Sequence, residues 1–366
     1  MKVCFIGLDN LPVLAPEFNA YGVGGEQVQH TLLAKALARR GHDVSMVVYD
    51  YGQPDRARWD GVTTYKAYRA DSGLPMVRFV HPRWTGVWSA LKRADADVYY
   101  ASCAGMHLGL LAMFCRKENR RFVFRIAHDS DCDPDNLLIK YWRDRRLYEY
   151  GLRRASGILA QSEQQQRALM KNYGLQSDLA DMLVEAPKSQ PARDVDVLWV
   201  NNLRPFKRPD LFLELARRLP RYRFHMVGGK QPGHEDLYDE ISVQAREIPN
   251  LEFHGPVPYH DIGPLYARAR VFVNTSDSEG FPNSYLQAWV RGTPVLAFFD
   301  PDGVIRRRGL GDAVESIDRM AARVDTFLRS PALWSGSSAA CIDYMRERYA
   351  EERILAPYLR LFAAEA

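Results

Sequence analysis

The chain has 366 residues, of which 46% are hydrophobic and 26% are charged, and its formal net charge at pH 7 is +4. This length accommodates two α/β domains of ordinary size, and the composition is that of a globular protein, which excludes the disordered and fibrous classes. The small positive charge suits a nucleoside diphosphate or an anionic membrane surface and is too small for a nucleic-acid-binding domain, so no nucleic-acid partner is expected.

The cysteines and the apolar stretches predict the redox environment of the protein and its relation to membranes. Five cysteines are scattered without a Cys-x-x-Cys pair, which predicts a reduced cytoplasm: Cys4, Cys103, Cys115, Cys132 and Cys341. The chain begins with a short strand and not a signal peptide, and no stretch approaches the about 20 apolar residues that cross a bilayer. Any membrane contact is therefore expected to be peripheral.

Apolar strands alternate with amphipathic helices in the first half of the chain. Strands are predicted at 3–7, 44–48, 97–100, 122–127 and 156–160, and helices at 24–40, 101–114 and 164–172. Such alternation is typical of open α/β sheets, which bind ligands at the carboxyl ends of their strands. The segment 185–193 has linker composition. We place the domain boundary there and expect domains at 1–186 and 194–345, followed by a terminal helix at 346–366.

Gly24 and Gly25 lie between the first strand with its long loop and the first long helix. Unpaired N–H groups at such a helix start attract an anion. The pair lacks the third glycine of the dinucleotide fingerprint, so a tight turn before an ordinary helix is the alternative interpretation.

His128 stands at the carboxyl end of the predicted strand 122–127, where a neutral imidazole can donate one hydrogen bond and accept another. A histidine hydrogen-bonded within the loop is the alternative interpretation. Aspartates alternate along the following loop: Asp129, Asp131, Asp133 and Asp135. A calcium loop is excluded, because its sixth position would be Pro134 and its twelfth Lys140. We expect a polar loop on the acceptor side or a solvated loop with helix-capping aspartates, and no essential metal.

The segment 141–154 interleaves basic and aromatic side chains, among them Arg143, Arg145, Arg146, Trp142 and Tyr150. This pattern suits an anionic membrane or a phosphorylated lipid carrier. It suits equally a solvated helix that packs by its aromatic side.

The second half opens with a strand at 195–200, a basic loop carrying Arg204 and Lys207, and a helix at 210–218. Cations between a strand end and a helix start can clamp a diphosphate, and a solvated basic loop is the alternative. The next strand, 224–227, ends in Gly228 and Gly229.

A turn-rich loop and a helix at 284–290 connect two further strands, 271–273 and 295–298. Glu279 lies on this loop beside Gly280, which lets the backbone approach a ligand. A carboxylate there accepts hydrogen bonds from sugar hydroxyls, and a solvated loop glutamate is the alternative.

The run from Ser276 to Ser284, with Gln287 eight positions after Glu279, resembles the donor-site signature of the large fourth family of retaining glycosyltransferases, the glycosyl transferases of group 1. The resemblance implies an α/β GT-B fold, two Rossmann-like domains facing across a cleft, with the C-terminal helix crossing back to the first domain. The family has a second glutamate where this chain has Gln287 and an arginine where it has Asn202. Arg204 is the candidate replacement for that arginine.

The resemblance also implies roles for individual residues. Lys207 and Arg204 would hold the donor phosphates, Glu279 the transferred sugar, and His128 would lie near both, so that these four are the implied catalytic residues. The other implied donor-binding residues are Gly24, Gly25, Gly228, Gly229, Gly280, Phe281, Pro282, Asn283 and Gln287.

We therefore expect a retaining glycosyltransferase with no cofactor beyond its UDP- or GDP-linked sugar donor. Its acceptor would be a hydroxyl of a saccharide or lipid-linked molecule, in polysaccharide or glycoconjugate assembly. The alternative is a non-catalytic nucleotide-sugar binding or scaffold protein with a degenerate site, which Asn202 and Gln287 favour. An epimerase or phosphorylase of the same fold would need acid/base groups or a cofactor, for which the chain has no motif.

Overall fold

The computed structural model describes residues 1–18, 23–74, 77–187, 191–231, 233–277, 279 and 281–364. Contacts between residues divide the chain into two compact units. The first contains the chain up to Leu183, except for a short stretch before the second helix, together with the last helix from Glu351. The second contains that short stretch and Val184–Ala350.

The first unit is built on an eight-stranded sheet. Its strands are β1 (Lys2–Ile6), β2 (Asp43–Val48), β3 (Arg58–Trp59), β4 (Val62–Lys66), β5 (Val98–Ser102), β6 (Arg121–Arg125), β7 (Gly157–Ala160) and β8 (Asp178–Leu179). They lie in the order β3-β4-β2-β1-β5-β6-β7-β8, and all pairs are parallel except β3 with β4. The central strands are buried on both faces, which explains their continuous apolar runs.

The helices of this unit pack on the sheet: α1 (Leu11–Leu14), α2 (Gly25–Arg39), α3 (Thr85–Ala94), α4 (Met106–Lys117), α5 (Trp142–Leu152) and α6 (Glu163–Tyr173). Helices α4 and α5 approach closely because each has a glycine at the contact. A Cβ atom added at Gly109 of α4 would lie 2.5 Å from the carbonyl oxygen of Leu147. One added at Gly151 of α5 would lie 2.6 Å from the carbonyl oxygen of Leu108. This contact fixes the orientation of the basic and aromatic helix α5.

The second unit has a six-stranded sheet in which every neighbouring pair is parallel. Its strands are β9 (Val195–Val200), β10 (Phe224–Val227), β11 (Leu251–Phe253), β12 (Ala269–Asn274), β13 (Val295–Ala297) and β14 (Gly311–Ala313), and their order is β11-β10-β9-β12-β13-β14. Since the strands are parallel, the loops after β10, β9 and β12 leave the sheet side by side at one edge.

Helices follow the strands of the second unit: α7 (Pro209–Arg218), α8 (Glu235–Arg246), α9 (Tyr259–Arg268), α10 (Asn283–Trp289), α11 (Val304–Arg308), α12 (Ile317–Arg329) and α13 (Pro331–Arg348). The core is aromatic where α7 meets the sheet. Phe212 packs against Trp199 and Phe224, with ring centroids 6.0 and 5.5 Å apart, and all three side chains are fully buried.

The last helix, α14 (Glu351–Ala363), packs on the sheet of the first unit. Tyr358 and Phe362 contact Tyr100 of β5, with ring centroids 6.1 and 5.9 Å apart. The carbonyl oxygen of Phe362 also accepts a hydrogen bond from the Arg121 guanidinium at 2.8 Å. The end of the chain thus completes the core of the first unit.

The two parallel-sheet α/β units confirm the predicted fold class. The predicted helix at 101–114 begins too early, because β5 pairs with β6 as far as Ser102. Cys103 then takes a left-handed backbone conformation with φ of 67°, and the helix starts only at Met106. In the described ranges, no helix is both long and apolar enough to cross a membrane.

The glycine contact between α4 and α5 can be tested with a matched pair of substitutions. Gly109→Ala should destabilise the first unit by about 1–3 kcal/mol, because its Cβ meets a backbone oxygen that cannot move independently. Gly336→Ala in α13, where the added Cβ meets nothing within 4 Å, should instead stabilise the second unit by about 0.5–1 kcal/mol. Thermal unfolding of both variants checks this, and equal effects would contradict the close helix contact.

Candidate functional site

The most concentrated group of predicted site residues lies at the carboxyl edge of the second unit's sheet. Strand β9 pairs with β10 on one side and with β12 on the other. The loops that follow these strands carry Lys207 and Arg204, Gly228 and Gly229, and Glu279. Parallel pairing therefore brings together residues that are far apart in the chain.

Lys207 and Glu279 form a buried ion pair at this edge. The Lys207 ammonium donates to Glu279 Oε1, and the two side chains are only 14% and 10% exposed. The Ser276 hydroxyl donates to the same carboxylate oxygen at 2.8 Å. Burial lowers the pKa of Lys207, while the attraction of Glu279 opposes that shift. The site thus presents a cation and an anion in direct contact, both shielded from water.

A buried hydroxyl holds the two loops of this pair together. Thr275, directly after β12, accepts from the Trp199 indole N–H at 3.0 Å and lies 2.8 and 2.9 Å from the carbonyl oxygens of Lys207 and Arg208. Asp277 N–H also donates to the carbonyl of Phe206 at 2.9 Å. These bonds fix the backbone of the lysine loop against the backbone of the glutamate loop.

Two side-chain amides at the same edge have N–H groups that are available to hydrogen-bond a ligand. Asn201 directly follows β9 and Asn274 ends β12, and the side-chain nitrogen of each is buried without a hydrogen-bond partner in the described part of the chain. The Asn274 oxygen is used internally, since it accepts from Ser276 N–H at 2.7 Å. Buried donors without acceptors are costly, and a ligand with acceptor oxygens would satisfy them.

Gly228 and Gly229 follow β10, as predicted. A Cβ at Gly228 would lie 2.7 Å from the carbonyl oxygen of Asn201, so the contact between neighbouring strand ends requires glycine there. Gly228 N–H donates to the carbonyl of Gly255 at 3.0 Å, and Leu203 N–H donates to Gly229. This packing explains Gly228 without a ligand, so its donor-binding role stays a prediction.

Arg204 lies on the loop of Lys207, but its side chain is exposed and donates to Gln231 Oε1 at 3.2 Å. Burial is the main cause of the lowered pKa of Lys207, and the positive charge of Arg204 lowers that pKa further. Asn202, at the position of the family's arginine, carries no charge. Arg204 thus has the charge and the approximate place for a phosphate contact.

Four further predicted donor residues lie just before α10 or within it. Pro282 and Gln287 are buried, and Phe281 packs edge-on against Trp289 with ring centroids 6.2 Å apart. Asn283 is the first residue of α10, and Gly280 lies outside the described residues. The Gln287 side-chain oxygen accepts from Arg291 at 2.7 Å. Where the family has a carboxylate, this chain therefore has an amide that is already bonded.

The first unit has a second polar group, which the sequence analysis missed. Glu26, in the first turn of α2 after Gly24 and Gly25, accepts from the His30 ring at 2.7 Å and from the Ser102 hydroxyl at the end of β5. Burial acts to raise the pKa of Glu26, but the bonds from His30 and Ser102 outweigh it, so the net pKa is lowered. The four-residue spacing of Glu26 and His30 on a helix was the available signal.

His128 caps the short helical turn after β6. Its Nδ1 accepts from Ser130 N–H at 3.1 Å, which in the neutral ring leaves the proton on Nε2. Asp131 accepts from the backbone N–H groups of Ala127 and His128 at 2.9 and 3.1 Å. Asp133 likewise accepts from Asp135 N–H and from Asn136. Asp131 thus caps the helical turn, and Asp133 orders the polar loop that follows it.

Comparison with family models covers most of the chain. Residues 24–184 match the glycosyl transferase 4-like domain, and residues 194–330 match the glycosyl transferases group 1 domain. The D-inositol 3-phosphate glycosyltransferase of Frankia alni is 33% identical over 167 residues, which are 40% of each chain. That of Mycobacterium bovis BCG Pasteur is 31% identical over 114 residues, 29% of this chain and 23% of the relative. The matches thus span less than half of these relatives.

Solved structures resemble the chain over almost its whole length. Sucrose-phosphate synthase of Thermosynechococcus elongatus has a TM-score of 0.76 at 18% identity and covers 99% of both chains. Anabaena HepE, solved in complex with UDP and glucose, has a TM-score of 0.76 at 16% identity and covers 100% of both. WaaG, a glycosyltransferase involved in lipopolysaccharide biosynthesis, reaches 0.67 at 16% identity over 98% of both. Identities this low show the fold alone, which is GT-B.

The ion pair can be tested by a double-substitution cycle. Lys207→Met or Glu279→Leu alone should lower the stability of the second unit by about 3 kcal/mol, because each leaves one buried charge without its partner. The double variant should cost less than the sum of the single variants by at least about 1 kcal/mol. Hydrogen exchange of amide protons in β9 and β12 measures this local stability, and strictly additive losses would contradict a direct pair.

Proposed function

Since the chain belongs to the glycosyl transferase group 1 family, we propose that it moves a sugar from a UDP- or GDP-linked donor to a hydroxyl of a saccharide or lipid-linked acceptor, with retention of configuration. The observation that carries this proposal is the buried pair of Lys207 and Glu279 at the carboxyl edge of the second sheet. A nucleoside diphosphate sugar offers a partner for each charge: phosphate oxygens for the ammonium and sugar hydroxyls for the carboxylate.

The donor would therefore exchange partners with the ion pair. Lys207 turns from Glu279 to the diphosphate, and Glu279 accepts hydrogen bonds from the transferred sugar. The amide nitrogens of Asn201 and Asn274, which are buried without partners in the described chain, supply further donors to ligand oxygens. Each group that the donor displaces from an internal bond gains a new bond, so that binding leaves no buried charge unpaired.

The reaction then depends on charge at the departing phosphate. The bond between the anomeric carbon and the diphosphate oxygen breaks, and the diphosphate leaves with the electron pair. Lys207, with Arg204 beside it, stabilises this growing negative charge. The acceptor oxygen bonds to the anomeric carbon on the face that the phosphate leaves, and its proton passes to a phosphate oxygen. No second carboxylate is needed as a base, in contrast to glycoside hydrolysis.

The predicted roles of the first unit remain part of the proposal. His128, with Nε2–H as a donor, would bond to the sugar or the phosphate, and Gly24 and Gly25 would approach the donor diphosphate. Glu26, held by His30 and Ser102, adds a carboxylate that suits an acceptor hydroxyl. The similar proteins include D-inositol 3-phosphate glycosyltransferases and a glycosyltransferase involved in lipopolysaccharide biosynthesis, which supports a setting in cytoplasmic glycoconjugate assembly.

A non-catalytic nucleotide-sugar binding protein is the second candidate. Two observations favour it: Asn202 lacks the charge of the family's arginine, and the oxygen of Gln287 is bonded to Arg291. Such a protein would bind the nucleotide without releasing sugar from it. Donor hydrolysis in the absence of acceptor separates the two candidates.

We also propose that the first unit contacts an anionic membrane. Of the ten exposed large hydrophobic residues in the described chain, six lie in two short segments: Leu74, Val77, Val80, Leu138, Tyr141 and Trp142. Basic residues accompany them: Arg78, Arg83, Lys140, Arg143, Arg145 and Arg146. One groove of about 360 Å³ lies here, lined by residues that include Phe79, Trp84, Trp142, Arg143, Arg146 and Leu147. Apolar and cationic groups on one surface fit the acyl region and the headgroups of anionic lipids.

Nucleotide binding is tested first by thermal shift with UDP, GDP, ADP and their sugar conjugates. One nucleotide should stabilise the protein, by about 2.7 kcal/mol at a hundred times its Kd. Lys207→Met should weaken the stabilisation by the free nucleotide and by its sugar conjugate. Glu279→Gln should weaken the stabilisation by the sugar conjugate. Lys92→Met and Glu240→Gln serve as controls, because they make the same changes of charge at exposed residues.

The same preparations then receive the stabilising sugar conjugate alone. Slow release of free sugar by the wild type, lost in Lys207→Met, supports the transferase. Stabilisation without release supports the non-catalytic binder. Absence of a shift with every nucleotide at millimolar concentration would contradict both candidates.

The membrane proposal is tested by sedimentation with vesicles containing phosphatidylglycerol. Trp142→Ala and the double variant Arg143→Ala/Arg146→Ala should weaken binding, the latter by about tenfold or more at about 1 kcal/mol for each arginine. Met170→Ala and Arg319→Ala/Arg329→Ala remove exposed apolar and basic residues elsewhere and should leave binding unchanged. Equal binding by all variants, or none to anionic vesicles, would overturn the proposal.

A further inference from the structure

Two histidines and a glutamate meet at the outer edge of the second unit's sheet, away from the loops of Lys207 and Glu279. His225 lies on β10 and is paired in register with Glu252 of β11, the edge strand. His254 follows β11 directly and stands two positions after Glu252. Alternation along a strand places His254 and Glu252 on the same face. The three side chains therefore converge because of the register of two parallel strands.

The polar atoms of these three side chains lie close together, with one hydrogen bond among them. His225 Nδ1 lies 2.9 Å from His254 Nε2, and Glu252 carboxylate oxygens lie 3.6 Å from His225 Nε2 and 3.5 Å from His254 Nδ1. One ligand atom can be chosen from each residue so that all three lie within 4.8 Å of one another. Tetrahedral zinc, with bonds of about 2.0–2.2 Å, needs ligand atoms roughly 3.3 Å apart, so small side-chain movements suffice.

We propose that His225, His254 and Glu252 form a site for a divalent transition metal ion of the zinc class. Imidazole nitrogens and a carboxylate oxygen are ligands that such ions prefer, and three protein ligands leave a fourth position for water. The ion would bind Nε2 of His225 and Nδ1 of His254, the ring nitrogens that face Glu252. Each neutral ring would then carry its proton on the nitrogen that faces the other ring, so the hydrogen bond between the rings would break.

The exposure of the three residues fits a site that loads from solvent. The His225 side chain is 9% exposed and that of His254 20%, so the fold fixes both rings. The Glu252 side chain is 63% exposed and can turn toward the ion. Two fixed rings and one movable carboxylate form a site that a metal ion can enter from solvent. None of the three residues takes part in the proposed transfer reaction.

The site is linked through the backbone to the turn of Gly228, which follows β10. His254 N–H donates to the carbonyl of Met226 at 2.9 Å, and the next residue, Gly255, accepts from Gly228 N–H at 3.0 Å. A metal on His254 would therefore restrict the segment that contacts the Gly228 turn. Where the proposed function holds, metal occupancy should change nucleotide affinity; this consequence rests on that function, whereas metal binding itself does not.

Titration of the chelator-treated full chain with Zn²⁺ in a calorimeter, without nucleotide, tests the site. We expect one ion per chain and a loss of affinity of at least about tenfold in His254→Ala and in Glu252→Gln. Glu252→Gln changes an exposed side chain and so keeps the test valid if a histidine variant fails to fold. His260→Ala, an exposed histidine of the same unit, is the control and should bind as the wild type.

Co²⁺ provides the second readout, because its visible absorption distinguishes nitrogen and oxygen ligands from thiolates. A spectrum without thiolate charge-transfer bands, lost in His254→Ala, supports the proposed ligands. Absence of binding shows that the two rings form only a hydrogen-bonded pair, and binding that survives in both His254→Ala and Glu252→Gln places the ion elsewhere. Either result would overturn the proposal.

Discussion

A buried ammonium beside a buried carboxylate is stable only when both charges keep their hydrogen bonds, and Lys207 and Glu279 meet that condition through the loops that carry them. Those loops follow two strands that pair directly, and the Thr275 hydroxyl fixes one loop to the other. The buried indole of Trp199 completes the arrangement from within the core. The geometry of the candidate site therefore depends on the packing of the second sheet.

The ion pair of Lys207 and Glu279 is also suited to exchanging its internal contact for contacts with a ligand. Separating the two charges without replacement would cost several kcal/mol, so a ligand that brings both an anion and hydroxyl groups would open the pair at the lowest cost. A phosphate alone satisfies Lys207 and leaves Glu279 unpaired, whereas a nucleoside diphosphate sugar satisfies both. If the proposed function holds, the complete donor should therefore bind more tightly than the free nucleotide or phosphate.

Much of this arrangement could be predicted from the sequence. Apolar runs identified the strands β9, β10 and β12, and loop composition identified Lys207 and Glu279, because strand ends and turn residues are local signals. Their direct contact could not be predicted, since it joins residues 72 positions apart. The bond from Ser102 to Glu26, across 76 positions, was missed for the same reason. The predicted early start of α4 was wrong because pairing with β6 extends β5 at the expense of a local helix preference.

A crystal structure with the stabilising nucleotide sugar bound tests the central claim most directly. The account predicts that Lys207 Nζ leaves Glu279 and lies about 2.8 Å from a phosphate oxygen, while a Glu279 oxygen accepts from a hydroxyl of the sugar. The amide nitrogens of Asn201 or Asn274 should gain acceptors at the same time. A bound donor that leaves the Lys207–Glu279 contact intact, or that occupies another edge of the sheet, would contradict the account.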